Sequence, residues 1–415
     1  MQQLLHTPEG VRDIYHVECV RKNVLQRKLA KTLHLFGYQD IQTPTFEFFD
    51  VFRKEIGTTS SKELYKFFDR DGNTLAMRPD ITPQIARIAA TLFSEEDFPA
   101  RLCYIENTYI NHSSYQGRLR ENTQLGAELV GDDSIEADAE MLALVVDCLK
   151  SAGLTDFQIN IGNVDFLQSL IQSSGIEEDT QVRLRELINN RNFFGVDELL
   201  IDSGASIECK HAFSVLPELV GGHEILDLAK NIAPDSKSIK AIKRLEATYQ
   251  LLCSYGVDKY ITFDLSMFGI YGYYTGIIFR GYTYGTGDAI VKGGRYDHLI
   301  EKFGKEMPSI GFAVIVDELM NAVQRQNIEI RNDSNNTLIL YDDSRREDAV
   351  FLAKTFRNKG KNTELLHFSP NHDFDFYTRC AQRKLINTIL YLQETHQIKM
   401  FNMMTGEQKI ISGRD

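Results

Sequence analysis

The stretch from Gln116 to Glu128 constrains the fold more tightly than any other part of the chain. Polar residues alternate from Asn122 to Glu128, and Gln124 and Glu128 stand an even number of positions apart. On a strand, both side chains therefore point to one face. A carboxylate and an amide held together there suit a ligand that carries an ammonium group. Residues 102–109 and 123–130 read as paired strands joined by a polar loop, and a helix over 135–149 follows, with Glu136, Asp138 and Glu140 enriching its first turns.

Elsewhere the pattern alternates between helical and strand periods. Residues 18–36 form an amphipathic helix with Leu25, Leu29, Leu33 and Phe36 on one face, and Gly37 supplies the stop. A strand over 38–43 ends at Pro44, and residues 74–78 read as another. Thr82 as N-cap and Pro83 at the first helical position open a helix carrying Ile85, Ile88, Ala89 and Leu92. The turn from Arg78 to Thr82 thus presents polar groups at a strand end.

A short strand is expected over 157–161, after which residues 164–255 are largely helical (180–189, 224–230, 236–255) and read as an inserted subdomain. Strands return at 262–265, 276–282 and 289–291, followed by Gly293-Gly294 and a helix from Ser309 to Gln326. The polar hinge Arg331-Asn332-Asp333-Ser334-Asn335-Asn336 separates off a last unit. There a strand (337–341), helix (346–359), strand (363–367), helix (376–384) and strand (388–392) alternate as in a small α/β sheet, and a hairpin of 399–404 with 408–412 ends it. The expected domains are a core of 1–163 with 256–328, a helical insertion of 164–255 and a C-terminal unit of 332–415.

A chain of 415 residues with 43% hydrophobic content can bury substantial cores in two or three domains. No apolar run reaches the roughly 20 residues that span a bilayer, and the start from Met1 to His6 lacks a charged segment followed by an apolar core, so a cytoplasmic location is expected. Cys19, Cys103, Cys148, Cys209, Cys253 and Cys380 are scattered without a Cys-x-x-Cys pair, and neither a metal site nor a disulfide framework is expected. The net charge of −12 weighs against a surface that grips nucleic acid widely. A C-terminal stretch without a basic, aromatic-interleaved cluster counts against tRNA as well.

Five motifs then fall into a set: Thr7-Pro8-Glu9-Gly10-Val11-Arg12-Asp13, Arg78-Pro79-Asp80-Ile81-Thr82-Pro83-Gln84, residues 117–128, Tyr273-Tyr274-Thr275-Gly276 and Gly293-Gly294-Arg295-Tyr296-Asp297. In order and spacing they resemble histidyl-tRNA synthetases over about residues 7–325. The turn containing Asp80 and the helix bearing Ala137-Asp138-Ala139-Glu140 are more similar to the catalytically inert relatives of those enzymes, the regulatory subunits of ATP phosphoribosyltransferase. The resemblance implies an α+β fold: a class II aminoacyl-tRNA synthetase-like antiparallel sheet flanked by helices, with a helical insertion and a small C-terminal α/β domain. It also implies a dimer formed through the N-terminal helix and the strand before Pro44.

Departures from the enzymes carry as much weight as the matches. The arginine that would hold the ATP α-phosphate falls on Ile110, the arginine specific to histidine activation on Gly269, and the arginine that would clamp the nucleotide on Glu318. Adenylation concentrates negative charge at phosphorus, so preorganised cations are most of what such an enzyme offers. Arg118 and Arg120 remain in the loop. The positions that would contact histidine are kept: Asp80, Thr82, Gln124, Glu128, Tyr273 and Tyr274. Carboxylates offset an α-ammonium, Thr82 and Gln124 supply hydrogen bonds, and the tyrosines wall an aromatic side chain.

The resemblance accordingly implies a non-catalytic subunit with no cofactor. It would activate the short catalytic subunit of ATP phosphoribosyltransferase, at the first step of histidine biosynthesis, and carry feedback inhibition by histidine. Its partners would be that subunit and a second copy of itself within a hetero-oligomer, with neither tRNA nor membrane. The alternative is a divergent histidyl-tRNA synthetase that activates histidine with ATP, and a third reading is another amino-acid-binding or scaffolding protein on the same fold.

Plainer roles fit some of the same residues. Thr82 can cap its helix, Asp80 can shape the turn, and Gln124 and Glu128 can be solvated sheet residues. Tyr273 and Tyr274 on a strand would face opposite sides, leaving one in the core or at a rim. Gly293-Gly294-Arg295 reads as a turn with a surface arginine, and His112 as an exposed loop residue.

Overall fold

Leucines spaced four apart build the first helix: α1 (His16–Leu35) buries Leu25, Leu29 and Leu33, and Gly37 follows it with φ at 82°. The computed structural model describes residues 5–52, 59–112, 118–269, 272–330, 336–395 and 397–412. Gln116, Gly117, Met1 to Leu4 and the hinge from Arg331 to Asn335 lie outside the described residues. The chain divides into two units, Met1–Arg12 with Leu25–Glu329, and Asp13–Val24 with Ile330–Asp415.

In the first unit, β1 (Gln39–Asp40) precedes a small sheet of β2 (Phe46–Phe48), β3 (Lys66–Phe68) and β4 (Thr74–Met77), two strands of which had no sequence signal. Then come α2 (Thr82–Thr91), β5 (Ala100–Tyr109), β6 (Glu121–Val130), α3 (Ile135–Ser151) and β7 (Phe157–Asn163). Residues 164–255 carry α4 (Val164–Ser173), α5 (Glu178–Asn189), α6 (Phe193–Asp202), α7 (Ile207–Val215), the two-residue β8 (Val220–Gly221), α8 (Ile225–Ile232) and α9 (Ser236–Tyr255). The unit closes with β9 (Ile261–Asp264), β10 (Thr275–Thr283), β11 (Val291–Arg295), β12 (Ser309–Ile315) and α10 (Val316–Arg325).

Nine strands make the main sheet in the order β1-β5-β6-β12-β11-β10-β7-β9-β8. It is mixed rather than wholly antiparallel, because β1 pairs with β5 and β7 with β9 in parallel. Its centre is antiparallel, with Leu102 and Gly311 flanking Glu128 and with Glu106 and Ile315 flanking Gln124. Among the described residues, no helix is long and apolar enough to cross a membrane.

Two expectations are corrected here. Residues 309–315 are a strand, and only α10 is helical; Ser309, Ile310, Gly311, Phe312 and Val314 are buried on both faces between β6 and β11, so no alternation marked them as a strand. Gly293, Gly294 and Arg295 lie within β11 rather than in a turn. A Cβ on Gly293 would sit 2.5 Å from the Phe279 ring, so glycine there admits a close neighbour rather than a bend.

The second unit has its own sheet, ordered β14-β13-β15-β16-β17 and built from β13 (Thr337–Tyr341), β14 (Thr363–His367), β15 (Thr388–Leu392), β16 (Gln397–Asn402) and β17 (Gln408–Ser412). Three strands are parallel and the last two form an antiparallel hairpin. Alternating side chains of β13 and β15 serve both faces. Leu338, Leu340 and Ile389 pack with Tyr377 and Ala381 of α12 (Phe374–Arg383), while Ile339, Leu390 and Leu392 pack with Ala349 and Ala353 of α11 (Arg346–Asn358).

Candidate functional site

A cavity of about 350 Å³ opens over the face of the central strands, and Asp80, Thr82, Gln124, Glu128, Tyr273 and Tyr274 all line it. They come in pairs from three supports. Asp80 and Thr82 sit at the entry to α2, Gln124 and Glu128 four residues apart on β6, and the two tyrosines immediately before β10. Because β10 begins at Thr275, the tyrosines do not alternate as strand residues would; both face the cavity, with ring centroids 5.0 Å apart and planes at 58°.

Glu128 is the centre of the buried end. Only 1% exposed, it accepts hydrogen bonds from Tyr296 Oη at 2.7 Å, Thr82 Oγ1 at 3.0 Å and Tyr104 Oη at 3.4 Å. Burial pushes its carboxyl up to about 8, although the bonds from Tyr296 and Thr82 pull the other way. The same burial, with Glu128 beside them, raises the phenols of Tyr104 and Tyr296 well above the usual tyrosine value. Glycine makes the arrangement possible: a Cβ on Gly311 would fall 1.6 Å from Glu128 Oε2, and one on Gly126 would fall 2.2 Å from the Tyr104 ring.

Beside it, Tyr273 Oη donates to Asp80 Oδ2 at 3.1 Å, and the other Asp80 oxygen accepts from the Ile81 N–H at 2.8 Å. Thr82 is the first residue of α2, with Ile81 in the cap position, so its hydroxyl serves Glu128 and does not cap the helix. The Oε1 of Gln124 is buried and has no hydrogen-bond partner among the described residues. A buried amide oxygen without a donor costs about 1–3 kcal/mol, a cost that a ligand N–H would relieve.

The far end of the cavity has a different character. Ile110 and Glu318 line it, along with His112, Arg118 and Lys292, while Gly269 lies outside this lining and borders a small adjoining recess with Tyr274 and Lys292. Lys292 is paired with Asp288 at 3.2 Å. His112 is half-buried rather than exposed; burial, then the charge of Arg118, holds its imidazole below the usual range. Acidic and basic side chains thus line this end of the cavity together, beside Ile110.

Several motif residues prove to be braces. Arg295 is 1% exposed, not a surface residue, and donates through Nε to Asp138 Oδ1 at 2.6 Å and through Nη1 to Asp297 Oδ1 at 3.1 Å. Arg244 of α9 takes the second Asp138 oxygen at 2.6 Å, and Thr275 Oγ1 bonds Asp297 at 2.9 Å. Arg78 donates to Glu106 at 2.7 Å and to the Thr43 and Asn107 carbonyls, and Gln84 Nε2 to the Pro44 carbonyl at 2.8 Å. At the first motif, Gly10 accepts from the Arg120 N–H at 2.7 Å and so supports the start of β6.

The profile of the family described as histidyl-tRNA synthetase matches residues 10–319. The ATP phosphoribosyltransferase regulatory subunit of Acetivibrio thermocellus is 36% identical over 403 residues, covering 97% of this chain and 96% of that one. The chain belongs to the ATP phosphoribosyltransferase regulatory subunit family. A solved structure of this family, described as an ATP phosphoribosyltransferase regulatory subunit/histidyl-tRNA synthetase from Bacillus halodurans C, superposes with a TM-score of 0.83 at 31% identity, covering 94% of this chain and 98% of that one. The histidyl-tRNA synthetase of Nostoc sp. PCC 7120 shares the fold, with a TM-score of 0.82 at 20% identity over 98% and 96% of the two chains.

Within this regulatory-subunit fold, sequence reasoning missed Tyr104 and the site role of Tyr296, the two phenols that enclose Glu128. One signal was available. Gly126 stands between Gln124 and Glu128 on the same strand face, and a glycine there marks the close approach of another group.

Proposed function

We propose that this chain is a non-catalytic regulatory subunit of ATP phosphoribosyltransferase that takes histidine into the cavity over β6 and relays feedback inhibition to a short catalytic subunit. Glu128 and Asp80 receive the α-ammonium, the unpartnered Gln124 Oε1 accepts from a ligand N–H, and Tyr273 and Tyr274 wall the imidazole. The observation that carries the reading is Glu128, a buried carboxyl surrounded by hydroxyl donors with no cationic side chain paired to it among the described residues. An incoming ammonium supplies that counter-charge and favours the carboxylate, and Glu128 gives up its proton to solvent as the ligand binds.

Catalysis is a poor fit to the same cavity. Removing one preorganised donor of developing charge costs roughly 10²- to 10³-fold in rate, and here an isoleucine and a glutamate occupy two such positions. Regulation needs only a coupling free energy between histidine and the active assembly, typically about 1–3 kcal/mol. A self-dimer inside a hetero-oligomer, without tRNA and in the cytoplasm, belongs to the same proposal.

The test is histidine-dependent exchange of pyrophosphate into ATP by the purified chain, beside an active histidyl-tRNA synthetase, with calorimetry of histidine binding on the same preparation. The expected result is no exchange, clear binding, and activation of a short phosphoribosyltransferase subunit that added histidine reverses. Exchange at a rate comparable to the control would overturn the proposal in favour of a divergent synthetase.

A further inference from the structure

Far apart in sequence, three ligand-type side chains meet where α1 runs into the main sheet. His34 closes α1, Asp40 lies on β1 and Cys103 on β5, and Asp40 and Cys103 are direct partners in the parallel β1–β5 register. His34 Nε2 is 3.0 Å from Asp40 Oδ1, and Cys103 Sγ donates to the same oxygen at 3.5 Å. All three donor atoms lie within 4.8 Å of one another, and no other cluster of three or more His, Cys, Asp or Glu side chains meets that criterion among the described residues.

We propose that His34, Asp40 and Cys103 form a three-ligand site for a thiophilic divalent cation of the zinc class, with water in the fourth position. Ligand bonds of about 2.0–2.3 Å place tetrahedral donors roughly 3.3–3.7 Å apart, so two of the three spacings already lie near the required values. The backbone holds them there. The connection from α1 to β1 is closed by Gly37 N–H to the His34 carbonyl at 3.0 Å and Tyr38 N–H to the Leu33 carbonyl at 3.2 Å, and Ile41 N–H bonds the Cys103 carbonyl at 2.8 Å.

Access is graded in the way a site needs. In the single chain the side chains of His34 and Asp40 are 47% and 73% exposed, so an ion can enter from solvent where no second copy covers α1 and β1, while Cys103 is 1% exposed at the base. On loading, the thiol gives its proton to solvent and sulfur bonds the metal as thiolate, while His34 bonds through Nε2. The ion then ties the end of α1 to two strands of the main sheet. Sequence spacing gave no hint, because 63 positions separate Asp40 from Cys103.

Cobalt(II) titrated into the full chain, stripped with chelator and kept reduced, reads the site directly. The expected result is one ion per chain, with thiolate-to-cobalt charge-transfer absorption and the visible bands of tetrahedral cobalt, both displaced by zinc. Cys103→Ser should abolish the charge-transfer band. His34→Ala, on the surface, should weaken zinc binding at least about 100-fold, more than loss of an outer-shell partner does. Zinc should raise the thermal midpoint of the wild type and of Cys253→Ser, an exposed thiol elsewhere, but not of either ligand variant. Absence of the band in the wild type, its survival in Cys103→Ser, or zinc affinity unchanged in His34→Ala overturns the proposal.

Discussion

Two carboxyl groups, Glu128 and Asp138, lie out of water in the same unit, 1% and 0% exposed, and their surroundings differ in one respect. Asp138 is gripped by two guanidiniums, Arg295 and Arg244, each at 2.6 Å. Among the described residues, Glu128 receives only neutral hydroxyls, from Tyr296, Thr82 and Tyr104. Burial raises the pKa of both, but the arginines pull Asp138 back, whereas Glu128 reaches about 8. A buried acid with its counter-charges in place is architecture. One without them is, on the proposed function, a place for a ligand's charge.

The sharpest way to break this contrast is to neutralise each acid in turn. Asp138→Asn leaves two arginines facing an amide, and loss of one partner from a buried ion pair costs about 3–5 kcal/mol, read as a lower urea midpoint. Glu128→Gln should cost far less stability at pH 8, since no buried cation is orphaned. Equal losses in the two variants would erase the distinction.

Histidine affinity sharpens the other side. On the proposed function, Glu128→Gln replaces the acid with an amide that carries no charge to offset the ammonium, and calorimetry should show binding weakened roughly 100-fold, consistent with about 1.5–3 kcal/mol for a charged hydrogen bond. Asp138→Asn, measured well below its melting temperature, should bind almost as the wild type does. Affinity unchanged in Glu128→Gln would falsify the pocket assignment while leaving family membership intact.

A smaller effect follows from the pKa of Glu128. Its folded value, about 8, lies above the ordinary carboxyl value of 4.5, so the folded state keeps a proton that the unfolded state releases. The associated stability is complete below pH 4.5 and is lost as pH rises towards 8, by at most about 1.4 kcal/mol per pH unit. Unfolding curves of wild type and Glu128→Gln should converge in acid and separate across that window, and equal slopes for the two would contradict the shift. Smallest of all, Tyr273→Phe removes one hydroxyl from Asp80 and should reduce histidine affinity by about fivefold, near 1 kcal/mol.

Much of the scaffold was legible because its periods were unmixed. Leu25, Leu29 and Leu33 marked α1, and in the C-terminal unit two strand faces alternate between two helices, as the pattern of β13 and β15 announces. The six candidate residues do converge on one cavity, and the motifs that placed them are the reason. What misled was the stretch from Ser309, where residues buried on both faces left helix and strand indistinguishable, and Gly293-Gly294-Arg295, where glycine meant close packing rather than a turn. Arg295 and His112 were placed by their local sequence, which carries no information on what covers them.

By itself, then, the sequence determined most of the element types, the family, and the list of residues that line the cavity, because period, spacing and motif order are properties of the chain. Tertiary structure alone decided which charges are compensated. Arg295 reaches Asp138 across 157 positions, while Tyr296 reaches Glu128 across 168 without bringing a charge. Electrostatic energy depends on distance and burial rather than on order along the chain. That dependence makes one carboxyl a brace and the other a candidate receptor.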